Sequence, residues 1–267
     1  TLTTFHSFAA EILRQHGSHV GLKPDFGILS DQADREAALT DAINAAFSGN
    51  DDDSTPRASQ LLPVITRMLD ECVPLGQAHE AVASMANRNE IASVYAAYRE
   101  RLIASNQLDF ASLLALAVEL LETRSAIAKQ VRRVYTHVCV DECQDTNSAQ
   151  FRLLVQIVPE TNPNLFVVAD DDQVIYQWNG ASPARLRELR DRFSMRVLQL
   201  PENYRCPPIV IQLANSLIAY NADRATDKKP LTAHKAGEAG AGLVAQRFGD
   251  FSDELAWIAD TLLAKPA

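Results

Sequence analysis

Residues 138–147 read Val-Cys-Val-Asp-Glu-Cys-Gln-Asp-Thr-Asn, an apolar run closed by two adjacent carboxylates, Asp141 and Glu142, after which the chain turns polar. A strand ending in acids delivers them to one place, because open α/β sheets set their ligands at the carboxyl ends of strands. Two such acids suit nucleotide hydrolysis: the first for a Mg2+ ion that bridges phosphates, the second for orienting or deprotonating an attacking water. By itself the pair fits a strand followed by a solvated loop better, since Asp-Glu pairs are common on surfaces. A second apolar run, Leu165 to Ala169, ends in Asp170-Asp171-Asp172-Gln173 and leads into Val174-Ile175-Tyr176-Gln177-Trp178-Asn179-Gly180-Ala181. Two strand ends thus present acids and a glutamine. A third block, Leu198-Gln199-Leu200, precedes Pro201-Glu202-Asn203-Tyr204-Arg205.

These residues need elements to hold them. The run Tyr135–Val140 is β-branched and apolar, which predicts a strand covered on both faces in a parallel sheet. Helical periodicity is present at Ser7–His16, where Phe8, Ile12 and Leu13 share a face and Gly17 ends the helix. The same pattern predicts helices at Ala37–Phe47, Ala58–Asp70, Ala78–Ala104, Leu113–Leu121, Asn147–Val158, Pro183–Phe193 and Pro207–Tyr220. Asp109 stands where a helix N-cap belongs. Residues 21–30 predict a loop, and the acid-rich break at 48–54 predicts a second loop rather than a metal site. Apolar strands alternating with helices indicate an α/β protein with a parallel sheet.

Bulk properties bound the choices. A chain of 267 residues can bury a sizeable core and form more than one compact unit. Its 47% hydrophobic and 22% charged residues are ordinary for a globular protein. The net charge of −9 would be awkward for a nucleic-acid binder if phosphate contacts were set by the sum rather than by local basic patches. Four cysteines, Cys72, Cys139, Cys143 and Cys206, have no Cys-x-x-Cys spacing, which predicts free buried thiols in a reducing cytosol. No run of eighteen apolar residues exists, so no membrane span is expected. No secretory signal is evident.

Taken in order, and with Thr3-Thr4-Phe5-His6-Ser7-Phe8 at the start, these blocks resemble the motifs of superfamily 1 DNA helicases of the UvrD/Rep/PcrA type, from end to end of the chain. The resemblance implies a RecA-like parallel sheet flanked by helices, with an all-helical insert and the start of a second RecA-like domain. Residues 1–24 and 107–200 would form the first motor domain. Residues 25–106 would be the insert lining the DNA path, and 201–267 the beginning of the second motor domain, with Asp253 to Ala259 in its opening helix. By resemblance Asp141 helps hold Mg2+, Glu142 is the general base, and Gln173 senses the γ-phosphate of ATP. Arg205 matches an arginine that reaches that phosphate from the second domain, so Asp141, Gln173 and Arg205 are the implied nucleotide contacts. Tyr176 and Trp178 match aromatics that stack on single-stranded bases, and Thr4, Phe5 and His6 lie in a motif that touches DNA. Leu108-Asp109-Phe110 resembles the family's Asp-Phe-x-x-Leu-Leu element.

Departures from the pattern are specific. Cys143 replaces the usual Phe after the acidic pair, Ala169 the usual Gly before the aspartates, and Asn179 the usual Arg after the Trp, which puts one DNA contact in doubt. A Gly-x-x-x-x-Gly-Lys-Ser/Thr phosphate loop is absent, and the glycine-rich residues 237–242 predict a surface turn. The expectation is therefore a piece of a longer protein, inactive on its own. The bland readings stay open beside these: Tyr176 and Trp178 as core aromatics, His6 as a core or capping residue, Arg205 as a partner of Glu202, Asp170 to Asp172 in structural bonds, Lys228 and Lys229 as solvated surface. The functional expectation is an ATP- and Mg2+-dependent 3′→5′ helicase or translocase. It would act on single-stranded DNA and duplex junctions, in DNA repair or replication, in the cytoplasm. The alternative is a non-catalytic DNA-binding or scaffolding relative. A metal-dependent nuclease fits the acids less well.

Overall fold

Residues 110–123 are apolar almost all round, and a helix without a polar face has to be buried. The computed structural model describes residues 2–47, 57–159, 161–221, 224, 227–234 and 244–264. Its helices are α1 (Phe5–His16), α2 (Gln32–Ala46), α3 (Ala58–Asp70), α4 (Ala78–Ala81), α5 (Arg88–Ala104), α6 (Phe110–Thr123), α7 (Ser125–Val134), α8 (Ser148–Ile157), α9 (Pro183–Arg192), α10 (Pro208–Ile218) and α11 (Phe251–Leu263). The strands are β1 (Gly27–Ile28), β2 (Gln107–Leu108), β3 (Val138–Val140), β4 (Leu165–Val167), β5 (Glu202–Asn203) and β6 (Thr232–Ala233), joined as the parallel pairs β1–β2, β3–β4 and β5–β6. The architecture is thus mixed α/β, mostly helical, with short parallel pairs. Two compact units divide the chain at Arg196 and Val197.

In the first unit α6 is the central helix, packed against α1, α3, α7 and α8, while α2 lies along α5. One continuous core joins these helices. Two tyrosines of α5 are buried in it, and each hydroxyl has a partner, as burial requires. Tyr95 donates to the Val73 carbonyl at 2.8 Å, and Tyr98 donates to Asp109 Oδ2 at 2.8 Å. Asp109 is the predicted cap: its Oδ1 accepts from the Ser112 N–H at 2.7 Å, closing the first turn of α6. In the second unit Asn215 of α10 holds the chain leading into β6, donating to the Leu231 carbonyl at 2.8 Å and accepting from the Leu231 N–H at 3.1 Å.

Several expectations change. Residues 21–30 are not wholly a loop, since Gly27 and Ile28 form β1 beside β2, with Phe26 and Leu29 buried on either side; a two-residue strand is too short to show alternation. The predicted helix Ala78–Ala104 breaks between α4 and α5, where Val82 turns inward to a buried position. The apolar strands are covered on one face only. Val140 is buried and Val138, Leu165 and Val167 pack on the core, whereas Cys139 and Phe166 face outward and are exposed. The thiols are free, but only Cys72 and Cys143 are buried, Cys206 being half-buried. The breaks at 48–54 and 237–242 lie outside the described residues. Among the described residues no helix is long and apolar enough to cross a membrane.

Replacing Asp109 by Ala removes the α6 cap and leaves the buried Tyr98 hydroxyl without its acceptor. The expected loss of unfolding free energy is about 2–4 kcal/mol, read from urea denaturation of the parent and the variant.

Candidate functional site

The site is assembled by one strand pair. β3 and β4 run parallel with Val138 opposite Leu165, Cys139 opposite Phe166 and Val140 opposite Val167. The hydrogen bonding continues past both strands: the Val168 N–H donates to the Val140 carbonyl at 2.8 Å, and the Cys143 N–H donates to the Val168 carbonyl at 3.1 Å. The two acidic strand ends are therefore laced together. Between them the backbone reverses at Glu142, which adopts the left-handed conformation (φ 48°, ψ 40°). That reversal turns Cys143 and Gln144 inward, both buried, while Asp141 and Glu142 remain at the surface.

Side chains extend the lacing. Asp141 Oδ1 accepts from the Glu142 N–H at 3.0 Å, and Glu142 Oε2 accepts from Gln144 Nε2 at 2.6 Å. Gln144 Oε1 accepts from the Asp170 N–H at 3.1 Å. Asp170 then accepts from the Asp172 N–H at 3.1 Å and from Gln173 Nε2 at 2.7 Å. Asp141, Glu142 and Gln173 thus belong to one connected group. Asp170 serves structural bonds with both carboxylate oxygens, although the ligand atoms of Asp170, Asp171 and Asp172 lie within 4.8 Å of one another. Burial, and next the nearby Glu142, raise the Asp145 carboxyl above its ordinary range, and its Oδ1 is buried without a hydrogen-bond partner. The all-oxygen carboxylate set of Asp170, Asp171 and Asp172 is of the kind a hard cation such as Mg2+ takes.

The turn that follows carries the aromatics. The ring centroids of Tyr176 and Trp178 are 6.1 Å apart, at an interplanar angle of 63°. Trp178 is 81% exposed, so it is not a core residue of this chain. Gly180 (φ 85°) closes the turn, in a conformation other residues rarely adopt. Arg185 of α9 donates one guanidinium nitrogen to the Gly180 carbonyl and to the Thr146 carbonyl, the latter at 3.1 Å, tying the aromatic turn to the acidic one.

Other expected residues sit apart. Thr4 is the N-cap of α1, its Oγ1 accepting from the Ser7 N–H at 3.2 Å. Phe5 packs partly against the core. His6 meets Phe110 edge-on, centroids 5.5 Å apart, and burial pushes its pKa down. None of these three makes a hydrogen bond or ring contact with the acidic group among the described residues. Arg205 belongs to the second unit, where Asn203 Oδ1 accepts from the N–H groups of Arg205 and Cys206 at 3.0 and 2.8 Å. Glu202 accepts from the Tyr204 hydroxyl at 2.6 Å and lies 2.7 Å from His234 Nδ1.

Helix α8 anchors the acidic loop from behind. Asn147 caps it, accepting from the Gln150 N–H at 3.0 Å, and also donates to Asp70 Oδ1 of α3 at 2.9 Å. One turn on, Arg152 donates to the Cys72 carbonyl at 2.9 Å and holds Glu122 with two bonds of 3.0 and 2.6 Å. Gln144, Asn147, Arg152 and Arg185 thus do positioning work that the sequence reading assigned to no residue.

The family model described as UvrD/REP helicase N-terminal domain matches residues 1–194. The ATP-dependent DNA helicase UvrD1 of Mycobacterium tuberculosis is 34% identical over 262 residues, covering 93% of this chain and 33% of its own. The ATP-dependent DNA helicase Rep of Escherichia coli is 32% identical over 222 residues, covering 82% of this chain and 32% of its own. The ATP-dependent DNA helicase PcrA of Leuconostoc citreum is 29% identical over 228 residues, 85% of this chain and 30% of its own. The chain spans about a third of the length of these relatives.

Asp70 gives the anchor a pH dependence. Burial, with the nearby Asp109 adding to it and the Asn147 bond opposing, raises its carboxyl from 3.8 to about 6. A raised carboxyl holds a proton that the unfolded chain has already released, so its contribution to stability is complete below about 3.8 and is lost as pH rises through about 6. Asp70→Asn removes that loss and keeps an acceptor for Asn147. Urea unfolding should find the variant and parent alike below about pH 4 and the variant increasingly the more stable toward pH 7.

Proposed function

The chain belongs to the family of the UvrD/REP helicase N-terminal domain, and from that premise we propose that it forms the nucleotide site and part of the DNA path of an ATP-dependent DNA helicase moving 3′→5′ along single-stranded DNA. The observation that carries the reading is the lacing of Asp141 and Glu142 to Gln173 at the joined ends of β3 and β4, with an exposed aromatic pair on the next turn. Glu142 is the general base: its carboxylate lies at the surface, held by Gln144, and takes the proton of the water that attacks the γ-phosphate. Gln173 senses that phosphate. Asp141 would hold Mg2+, which when bound neutralises charge on the phosphate oxygens. Arg205 is a planar cation of the kind that suits phosphate oxygens.

DNA is gripped by Tyr176 and Trp178, which stack on bases without reading their identity, and by Thr4, Phe5 and His6 at the start of α1. Residues 1–24 and 107–200 make a RecA-like motor domain, 25–106 its helical insert, and 201–267 the beginning of a second RecA-like domain. Single strands and duplex junctions met in DNA repair or replication are the substrates, in the cytoplasm.

Two measurements on the complete protein test this. Glu142→Gln keeps the shape of the side chain and removes the base, so ATP hydrolysis should vanish while Mg·ATP still binds; turnover within a few-fold of the parent would withdraw the assignment. Trp178→Ala should weaken binding to labelled single-stranded oligonucleotides by about 1–3 kcal/mol, to a similar degree for every sequence. Because the indole is exposed, the thermal midpoint should not move. Unchanged affinity with a lowered midpoint would make Trp178 a structural residue.

A further inference from the structure

Gln144 is 2% exposed, yet both ends of its amide are engaged by groups of the site. Nε2 donates to Glu142 Oε2 at 2.6 Å, and Oε1 accepts from the Asp170 N–H at 3.1 Å. Asp170 Oδ2 in turn accepts from Gln173 Nε2 at 2.7 Å. Only a residue with a donor and an acceptor on one planar group can serve a carboxylate and a backbone N–H at once, and among side chains of this length that is glutamine. Burial keeps water from competing for either bond. Gln144 also lies two residues after the left-handed turn at Glu142, in the short helical turn Cys143–Asp145 that carries it to a buried position.

We infer that Gln144 is a positioning residue that couples the orientation of the Glu142 carboxylate to the turn carrying Gln173, so that the base and the γ-phosphate sensor are set together. Its reach is limited to orientation, since both polar atoms of its amide are taken by protein groups. The inference rests on the roles proposed above for Glu142 and Gln173.

The test uses the complete protein and three readouts. Gln144→Ala should lower kcat for DNA-stimulated ATP hydrolysis by about 10- to 100-fold, the size of effect expected when a reacting group is displaced by about 1 Å, while KM for ATP stays within about threefold because no nucleotide contact is removed. Without nucleotide, hydrogen exchange read on a peptide spanning residues 165–175 should show faster exchange, since the Asp170 N–H loses its acceptor. Combined with Gln173→Ala, the two losses in kcat should fall well short of multiplying, as for residues acting through one network. Gln144→Glu keeps the length but replaces the donor by a second carboxylate against Glu142, and it carries the test if Gln144→Ala does not fold. A kcat within threefold of the parent, losses that multiply, or unchanged exchange would overturn the inference. Glu142→Gln, measured alongside, separates the failures: if it still turns over ATP the base assignment falls, and if it is inactive while the Gln144 variants are not, only the coupling falls.

Discussion

Everything at the site depends on the parallel register of β3 with β4. Three opposed residue pairs, continued by the Val168 and Cys143 hydrogen bonds, bring two acidic loops far apart in sequence within reach of one amide group. A slip of one residue would turn Val140 outward and Cys139 inward, because the side-chain period of a strand is two. It would also carry Asp141 away from the loop it serves. The register is matched by burial of Val140, with Val138, Leu165 and Val167 packed on the core.

The left-handed residue at Glu142 is the second half of this arrangement. A residue with a Cβ in that conformation costs on the order of 1–2 kcal/mol, and here it is offset by bonds on either side, from the Glu142 N–H to the Asp141 carboxylate and from the Cys143 N–H to the Val168 carbonyl. The gain is a sharp division: acids to the solvent, thiol and amide to the interior. Burial pushes the Cys143 thiol up to about 11, which makes it an inert packing group. A small side chain at that position is what the tight inward turn accommodates.

Much of this was legible in the chain, and the exceptions share a cause. The bounds of α3 follow its apolar periodicity residue for residue, and the Asp109 cap, the strand ends and the acidic clusters are local signals that short windows contain. The bonds that tie Gln144 to Asp170, Asn147 to Asp70 and Arg185 to Thr146 are not local: they join residues 26, 77 and 39 positions apart in the chain, brought close by tertiary packing. Periodicity cannot announce a polar side chain whose partner is elsewhere. The outward faces of Cys139 and Phe166 are illegible in the sequence for a related reason, since an apolar run does not say how many of its faces are covered.

Asn147 and Arg152 together make α8 a strut. Its N-cap is pinned to Asp70 at the end of α3, its middle to the Cys72 carbonyl and to Glu122 in α6, and the acidic loop is spliced directly onto its first turn. Helices are stiff along their axes, so a load that shifts the end of α3 is delivered to Thr146 and its neighbours with little slack.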